Sequence, residues 1–523
     1  MSTHPESLYF RVIEAEPADM APGSGLPDGW ALVMISSRKE RQIIYDTFED
    51  HAYHKGLTVV RKKGGLEVSR LETGEIVANA PLAGAPSRFF PDDLPPGNAR
   101  AALERCSYIR AFIRICSVDL SIASWKILDD NQKTVAILTS EAFRHSDGKN
   151  PEAIARFYSV TPFRGYHREL ARILRALPEP VDAYRVTGYR ERHLMIIESA
   201  GYTIGGYSPK LMLQLDPDAT IHESLRRFLQ FTSTVMRQNE PGIRKELDTE
   251  FLHDYRVALR KSRSMLRQLK GVFDPHRTAW ALSGLRDLGK RTNQLRDCDV
   301  YLLRKDEYPL LLPPSLRPPL ARFFDTLETE RRLLQRQFRM YLSSAEYRAF
   351  MAALQGFVED DELPDQELAP NSALSTRAVA VSAVRKTWKK VISLGRRIGP
   401  DAHDSELHEL RIACKKLRYI LEFFSSLFPA KTAGRLVGHL KELQENLGEF
   451  VDISVQTTFL LTRLESMPTD SRDPIDLSAA IGGLVAALYR KQECARDQFG
   501  ETFARFDDEQ TRDLFEELLN SLQ

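Results

Sequence analysis

His253-Asp-Tyr-Arg256-Val-Ala-Leu-Arg260-Lys261-Ser-Arg263 recurs 155 residues on (253 to 408) as His408-Glu-Leu-Arg411-Ile-Ala-Cys-Lys415-Lys416-Leu-Arg418. The match runs on to Phe273 and Phe428, each with a proline one or two residues later. Downstream, Leu295-Arg-Asp-Cys-Asp299-Val parallels Gly448-Glu-Phe-Val-Asp452-Ile, with the offset slipped to 153 (299 to 452). Two copies of one helical unit are the simplest account. In the first copy His253, Arg256, Arg260, Arg263, Arg267 and Lys270 step by 3, 4, 3, 4 and 3, which sets them on one helical face. His408, Arg411, Lys415 and Arg418 repeat the steps. Elsewhere on each helix runs an apolar stripe: Tyr255, Leu259, Leu266, Leu269 and Phe273 in the first copy, Leu410, Cys414, Leu417, Leu421, Phe424 and Phe428 in the second. Each helix is therefore expected to pack by one face and to present cations on another.

A charged face is ordinarily the solvated side of an amphipathic helix, with acids and bases mixed. Residues 253–270 hold six bases and one acid. Like charges four apart each cost a few tenths of a kcal/mol, so a near-pure cationic row, made twice, points to a polyanion that neutralises it. Lys290, Arg291 and Arg296 add cations after the first copy, and Arg385, Lys389 and Arg396 precede the second, the last three stepping by 4 and 7. Arginine grips phosphate oxygens with two parallel donors and lysine acts as a point charge. A linear chain of phosphates suits parallel rows of such groups. The histidine heading each row has two readings, a donor to phosphate or a buried hydrogen-bonded ring.

The chain around this repeat has 523 residues, enough for two to four domains. From about residue 215 the apolar period is helical, over Ile221–Gln238, Glu250–Phe273, Leu320–Leu342, Ser375–Ile398, Ser405–Phe428, Thr432–Leu447 and Asp476–Asp497. Prolines are expected to break between helices at Pro241, Pro275, Pro313–Pro319, Pro400 and Pro429. Gly356–Asn371 carries six acids and no base, which suggests a solvated linker. The first 214 residues are instead β-rich. Strands are expected at Leu8–Ile13, Ala31–Ser36, Arg41–Thr47, Leu57–Arg61, Leu66–Leu71, Tyr108–Leu120, Ile122–Leu128, Thr134–Leu138 and His193–Ile197, with helical patches near Asn98–Arg105 and Tyr166–Leu177. Strand after strand with few crossover helices is an α+β pattern and favours an antiparallel sheet or barrel. An all-α domain follows it.

Charge excludes less than it first suggests. Lys+Arg number 73 and Asp+Glu 72, which argues against a uniformly basic nucleic-acid binder. Each part is also near neutral, with 27 bases and 26 acids in 1–214 and 46 of each in 215–523. The charge is segregated within the helical part, since acids collect in 356–371 and in the tail from Glu501 (seven acids, two bases). Such surroundings restrain indiscriminate binding to nucleic acid. Five cysteines without a CxxC pair argue against a disulfide framework or zinc ribbon and for a cytoplasmic location. No signal peptide is expected from MSTHPESLYF, and no apolar run is long enough to span a membrane. There is no GxxxxGK[ST] loop. His408-Glu409 lacks the second histidine of HExxH because Ile412 stands there, and Gly201–Gly206 lacks GxGxxG spacing. No cofactor or metal site is legible.

The paired motif resembles the CHAD family, the conserved histidine α-helical domain, whose members show two copies of His-x-x-Arg-Val/Ile-x-x-Arg/Lys-Arg/Lys-x-Arg and a Leu-Gly-x-x-Arg-Asp-x-Asp-like segment. His253/His408, Arg256/Arg411, Arg260/Lys415, Lys261/Lys416 and Arg263/Arg418 occupy matching positions. The second segment is clear at Leu295–Val300, and only Asp452 of it survives in copy two. The resemblance covers about 300 residues. It implies two pseudo-symmetric helical bundles and a basic surface that binds inorganic polyphosphate without catalysis, with association to polyphosphate granules as the corresponding expectation. Asp297 and Asp299 are expected to brace arginines. The N-terminal part resembles more weakly a CYTH domain, the triphosphate tunnel fold, through Gln42-Ile-Ile-Tyr45-Asp46-Thr47 and Lys55-Gly56-Leu57-Thr-Val-Val-Arg61-Lys62. The family's opening Glu-x-Glu-x-Lys is missing: Glu14 and Glu16 are spaced correctly, but Pro17-Ala18 follows and there is no Lys. Val60 replaces an arginine of the second segment. The domains expected are thus a degenerate CYTH-like domain at 1–214 and a CHAD domain at 215–523, the latter as repeat one (about 215–345), acidic linker (about 356–371) and repeat two (about 372–523). Two alternatives stand beside polyphosphate binding. One is a metal-dependent tri- or polyphosphatase using the N-terminal domain. The other is nucleic-acid binding through the same rows, which lacks the interleaved aromatics expected for stacking on single strands.

Overall fold

A computed structural model describes residues 8–12, 26–146, 153–166, 169, 173, 188–399, 402–465 and 472–522. Two compact units emerge, residues 1–208 and 209–523.

The first unit is built on an antiparallel sheet of nine strands: β1 (Leu8–Val12), β2 (Ala31–Asp46), β3 (Leu57–Lys62), β4 (Gly65–Arg70), β5 (Ile76–Ala80), β6 (Arg88–Phe89), β7 (Phe112–Leu128), β8 (Thr134–His145) and β9 (Ala153–Pro162). Their order is β1-β9-β8-β7-β2-β3-β4-β5, with β6 on β7 and no pairing between β1 and β5 among the described residues. Period-2 alternation sends neighbouring side chains to opposite faces. Ile43 and Tyr45 join one core with Val59, Phe89 and Leu103 of the helix α2 (Asn98–Glu104). Ile44 joins the other with Val60, Leu120 and Phe143.

Several boundaries differ from the pattern reading. Ala31–Ser36 and Arg41–Thr47 fall in one strand, β2, with an irregularity between Met34 and Ser36; its buried apolar residues lie at the end near Tyr45, while Val33, Met34 and Ile35 are exposed. Tyr108–Leu120 and Ile122–Leu128 are likewise one strand. His193–Ile197, expected as a strand, lies in the helix α3 (Tyr189–Ser199), where Ile196 and Ile197 pack on the sheet; a short apolar run does not distinguish the two states. The expected helix at Tyr166–Leu177 falls mostly outside the described residues, as do Glu14 and Glu16. Tyr45-Asp46-Thr47 serves the fold. The Asp46 carboxylate accepts from the Thr47, Ala52 and Tyr53 amides (2.7–2.9 Å) and so fastens α1 (His51–His54); burial pushes it up to about 7 against those bonds.

The second unit is all-helical. Its helices are α4 (Ile221–Lys245), α5 (Glu250–Gln268), α6 (Pro275–Leu302), α7 (Arg317–Leu342), α8 (Ala345–Glu359), α9 (Thr376–Gly395), α10 (Asp404–Phe423), α11 (Ala430–Glu465), α12 (Arg472–Phe506) and α13 (Glu509–Asn520). α4 and α9 start side by side. Thr220 and Ser375 cap them, Ser224 Oγ meets Thr376 Oγ1 at 2.8 Å, and the Thr376 amide donates to the Ala219 carbonyl. The motif helices α5 and α10 hold the same place, second after each start. A buried cluster of Cys298, Phe324, Ile453, Leu460, Ile481 and Leu484 binds α6 and α7 to α11 and α12.

Proline acts differently from expectation at two sites. Pro275 starts α6 at its first turn, where a missing N–H costs nothing. Pro241 sits inside α4, one turn from the end, where the helix tolerates one lost bond. The acidic stretch 356–371 is not simply a solvated linker. Its first residues belong to α8, Asp360 pairs with Arg277 (2.6 Å), and Asn371 donates to the Lys270 and Gly271 carbonyls. The fit between α4 and α5 is close enough that a Cβ on Gly242 would lie 2.1 Å from the buried Phe251 ring. Gly242→Ala should therefore destabilise the helical unit by about 1–3 kcal/mol in denaturant unfolding. Gly438→Ala in α11, with nothing within 4 Å of its Cβ, should stabilise by about 0.4–1 kcal/mol.

Candidate anion-binding site

α5 and α10 lie against each other, and Lys261 of α5 reaches Glu422 of α10 at 2.9 Å. This packing brings the two cation rows together. Arg260 is the junction, for its charge is felt by Arg256 on its own helix and by Lys415 on the other. Burial, reinforced by Arg411 and Arg260, pushes the Lys415 ammonium down to about 8. Burial and Arg260 likewise push Arg256 down to about 10. Arg263, on the same row, is lowered by burial and by Arg267 and Arg286. Arginine does not give up its proton in this range, so these shifts express first the cost of burying charge and second the like charges beside it, offset in part by Asp297 and Asp299 at Arg256 and by Asp452 at Lys415.

The members differ in what they touch. Arg256 donates to the Gly289 carbonyl (3.2 Å), to Thr292 Oγ1 and to Asn293 Oδ1 (2.9 Å), which anchors it against α6. Gly289 also leaves room for Arg263, since a Cβ there would come within 3.2 Å of Arg263 Nη1. Arg411 is held by Asp452 of α11 at 2.7 Å, and Arg418 by Glu422 (2.6 Å) and Gln444 (3.4 Å). Arg296 meets Glu250 at 3.7 Å. Arg260, Arg267 and Lys416 are exposed, Arg263 and Lys415 half-buried, and no carboxylate lies within ion-pair distance of these five among the described residues. Arg263 Nε and Arg411 Nε are buried donors without an acceptor among the described residues. Buried guanidinium donors ordinarily find one.

The other expected members have surroundings of their own. Lys270 follows the end of α5, ahead of the turn at Gly271 with φ +70°. Arg291 stacks on Tyr341 (4.1 Å) and pairs with Glu346, and Lys290 faces Asp287 at 3.9 Å. Arg385 and Lys389 are exposed on α9, with no ion pair to the junction among the described residues, and Arg396 is taken by Asp507. His253 is half-buried and His408 exposed. Asp299 is buried and accepts from Arg331 of α7 at 2.7 Å, while Asp297 sits near Arg256 and Arg296. No group of three acids, histidines or cysteines converges as a metal site among the described residues. Arg286 was not singled out from the sequence, although it stands four residues before Lys290 in the same helical phase. Glu422 was missed as well, although it continues the row of steps from Arg418.

Residues 228–461 match the CHAD domain, and both motif helices fall inside that span. The chain carries a CHAD domain. Two curated relatives, Uncharacterized protein MT2285 and Uncharacterized protein Rv2226 of Mycobacterium tuberculosis, are each 27% identical over 224 residues. The match spans 42% of this chain and 42% of the length of each relative. Among solved structures, the crystal structure of the CHAD domain from the plant Ricinus communis is 23% identical with a TM-score of 0.47, covering 57% of this chain and 96% of that one. PptA from Streptomyces chartreusis is 17% identical with a TM-score of 0.38, covering 55% and 99%. No helix among the described residues is long and apolar enough to cross a membrane.

The depressed Lys415 gives the CHAD domain a pH signature with two opposite signs. Above about 10.5 Lys415 is neutral whether folded or unfolded. As pH falls from there to about 8 the unfolded chain takes the proton first, so folding stability drops, and the penalty is complete below 8. An anion bound beside Lys415 favours the charged form, so anion affinity should fall as pH rises through about 8. Titrating binding from pH 7 to 10 should show this loss, and Lys415→Arg should flatten it.

Proposed function

We propose that the CHAD domain binds inorganic polyphosphate, without catalysis, through the surface where the two cation rows meet. The observation that carries this reading is Arg260 between the rows, with the charge of Asp297, Asp299 and Asp452 only partly offsetting the burial and crowding of Arg256 and Lys415. Two pseudo-symmetric repeats supplying one row each would account for the equivalent placing of α5 and α10. Association with polyphosphate granules in the cytoplasm follows from this reading. Nucleic acid fits less well, because the junction lacks interleaved aromatics.

For the first unit we propose a CYTH-like fold that has lost triphosphate hydrolysis. A cavity of about 220 Å³ on the sheet is lined by Arg38, Glu40, Lys62, Glu67, Glu141 and Arg192 among others. Glu67 pairs with Lys62 and Glu141 with Arg192, so these carboxylates are engaged by cations rather than aimed at one point where a divalent metal could sit. Phosphate release from tripolyphosphate with Mg²⁺ or Mn²⁺ tests this; clear turnover would overturn it.

Binding should be strongly salt-dependent. By analogy with single-stranded nucleic acid, about five phosphate contacts at a slope of about −0.7 each imply a loss of roughly 10²-fold from about 50 to about 200 mM salt. The combined Arg260→Glu, Arg267→Glu and Lys415→Glu variant should lose at least about 100-fold in affinity, at about 1.5–3 kcal/mol per charge-assisted contact, with unchanged helical circular dichroism. Unchanged binding by that variant would contradict the proposal, and so would DNA displacing polyphosphate at equal phosphate concentration.

A further inference from the structure

The two cation rows are not equal. Stepping along α5 gives His253, Arg256, Arg260, Arg263 and Arg267. The same steps along α10 give His408, Arg411, Lys415, Arg418 and then Glu422, which aligns with Arg267 at the repeat offset of 155 (267 to 422). A carboxylate thus stands where the row would place its next cation. Its two oxygens are both engaged by cations, Oε2 by Lys261 of α5 at 2.9 Å and Oε1 by Arg418 at 2.6 Å. Burial pushes this carboxyl up, but Lys261 and Arg418 outweigh it and hold it below its ordinary value, so it stays ionised. Asp452 does the same to Arg411, and over half of its side chain is exposed.

We propose that Glu422 is a built-in competitor for the phosphate chain: it ends the cation row on α10 and keeps Lys261 and Arg418 occupied, and so sets both the affinity of the surface and the number of phosphates it engages. This rests on the polyphosphate reading above. A carboxylate that merely braced the helices would weaken binding when lost. A competitor has the opposite sign, because its removal releases two cations and deepens the local positive potential. Removing it also leaves Lys261 and Arg418 without a counter-charge, so the ligand-free protein becomes less stable.

The experiment compares wild-type chain, Glu422→Gln and Asp452→Asn in binding long-chain sodium polyphosphate across a salt series, with melting temperatures recorded without ligand. Glu422→Gln should bind at least about tenfold tighter at low salt and melt lower. Its log K against log salt should steepen by about 1.4, two further contacts at about 0.7 each by the single-strand analogy. Should Glu422→Gln fail to fold, Glu422→Asp, which withdraws the carboxylate by one methylene from Lys261 and Arg418, decides the matter and should bind tighter than wild type; Asp452→Asn separately releases Arg411 and should bind tighter, with a slope steeper by about 0.7. Folded variants that bind no tighter than wild type, with the same salt slope, would overturn the role of Glu422. Absence of binding by the wild type would instead overturn the polyphosphate reading itself.

Discussion

The helical unit depends on a repulsion that its fold does not relieve. Tyr255 and Leu259 of α5 and Leu417 and Leu421 of α10 are buried, and the contact between the two helices sets Arg260 as well as Arg411 near Lys415. Apolar burial is worth about 25 cal/mol per Å² and fixes the helices in place; the cations on their other faces have to follow. A fold selected only for stability would set acids among them. Here Glu422 and Asp452 pair with Lys261, Arg418 and Arg411, and no carboxylate among the described residues comes within ion-pair distance of Arg260, Arg263 or Lys415, although Asp452 is near enough to act on Lys415. That pattern is the physical content of an anion site: positive charge fixed in advance, in partly dry surroundings, where a bound anion removes strain as well as gaining contacts.

The remaining features of the unit serve this junction. α6 gives Arg256 three acceptors, and Gly289 of the same helix lies close against Arg263. Asp299 ties α6 to α7 through Arg331, and the cluster around Phe324 and Leu484 ties those helices to α11 and α12. α11 in turn carries Asp452 and Gln444 to α10. The cation rows rest on helices that are each held from behind.

Much of this was legible in the sequence because the pattern is periodic. Steps of three and four placed Arg256, Arg260 and Arg263 on one face, and duplication showed that the face is made twice. What was not legible was tertiary. No spacing says that α5 and α10 touch, that Glu422 crosses to Lys261, or that Arg291 turns away to Tyr341 and Glu346. Lys270 falls past the end of the row because the backbone leaves the helix at Leu269 (φ −98°, ψ 71°), ahead of the turn at Gly271. In the first unit, alternation marked strands but could not tell Leu194–Ile197 from one, since four apolar residues fit either a strand or the buried side of a short helix.

The central claim is that the junction is strained by its own charge and relaxed by a polyphosphate chain. The most direct measurement is the melting temperature of the full chain with and without long-chain polyphosphate, at low salt and at about 1 M salt. A ligand that binds only the folded state stabilises it by mass action, and salt screens that binding. The account predicts a rise of several degrees at low salt that vanishes at high salt. No shift at either salt concentration, or one that persists undiminished in high salt, would contradict it.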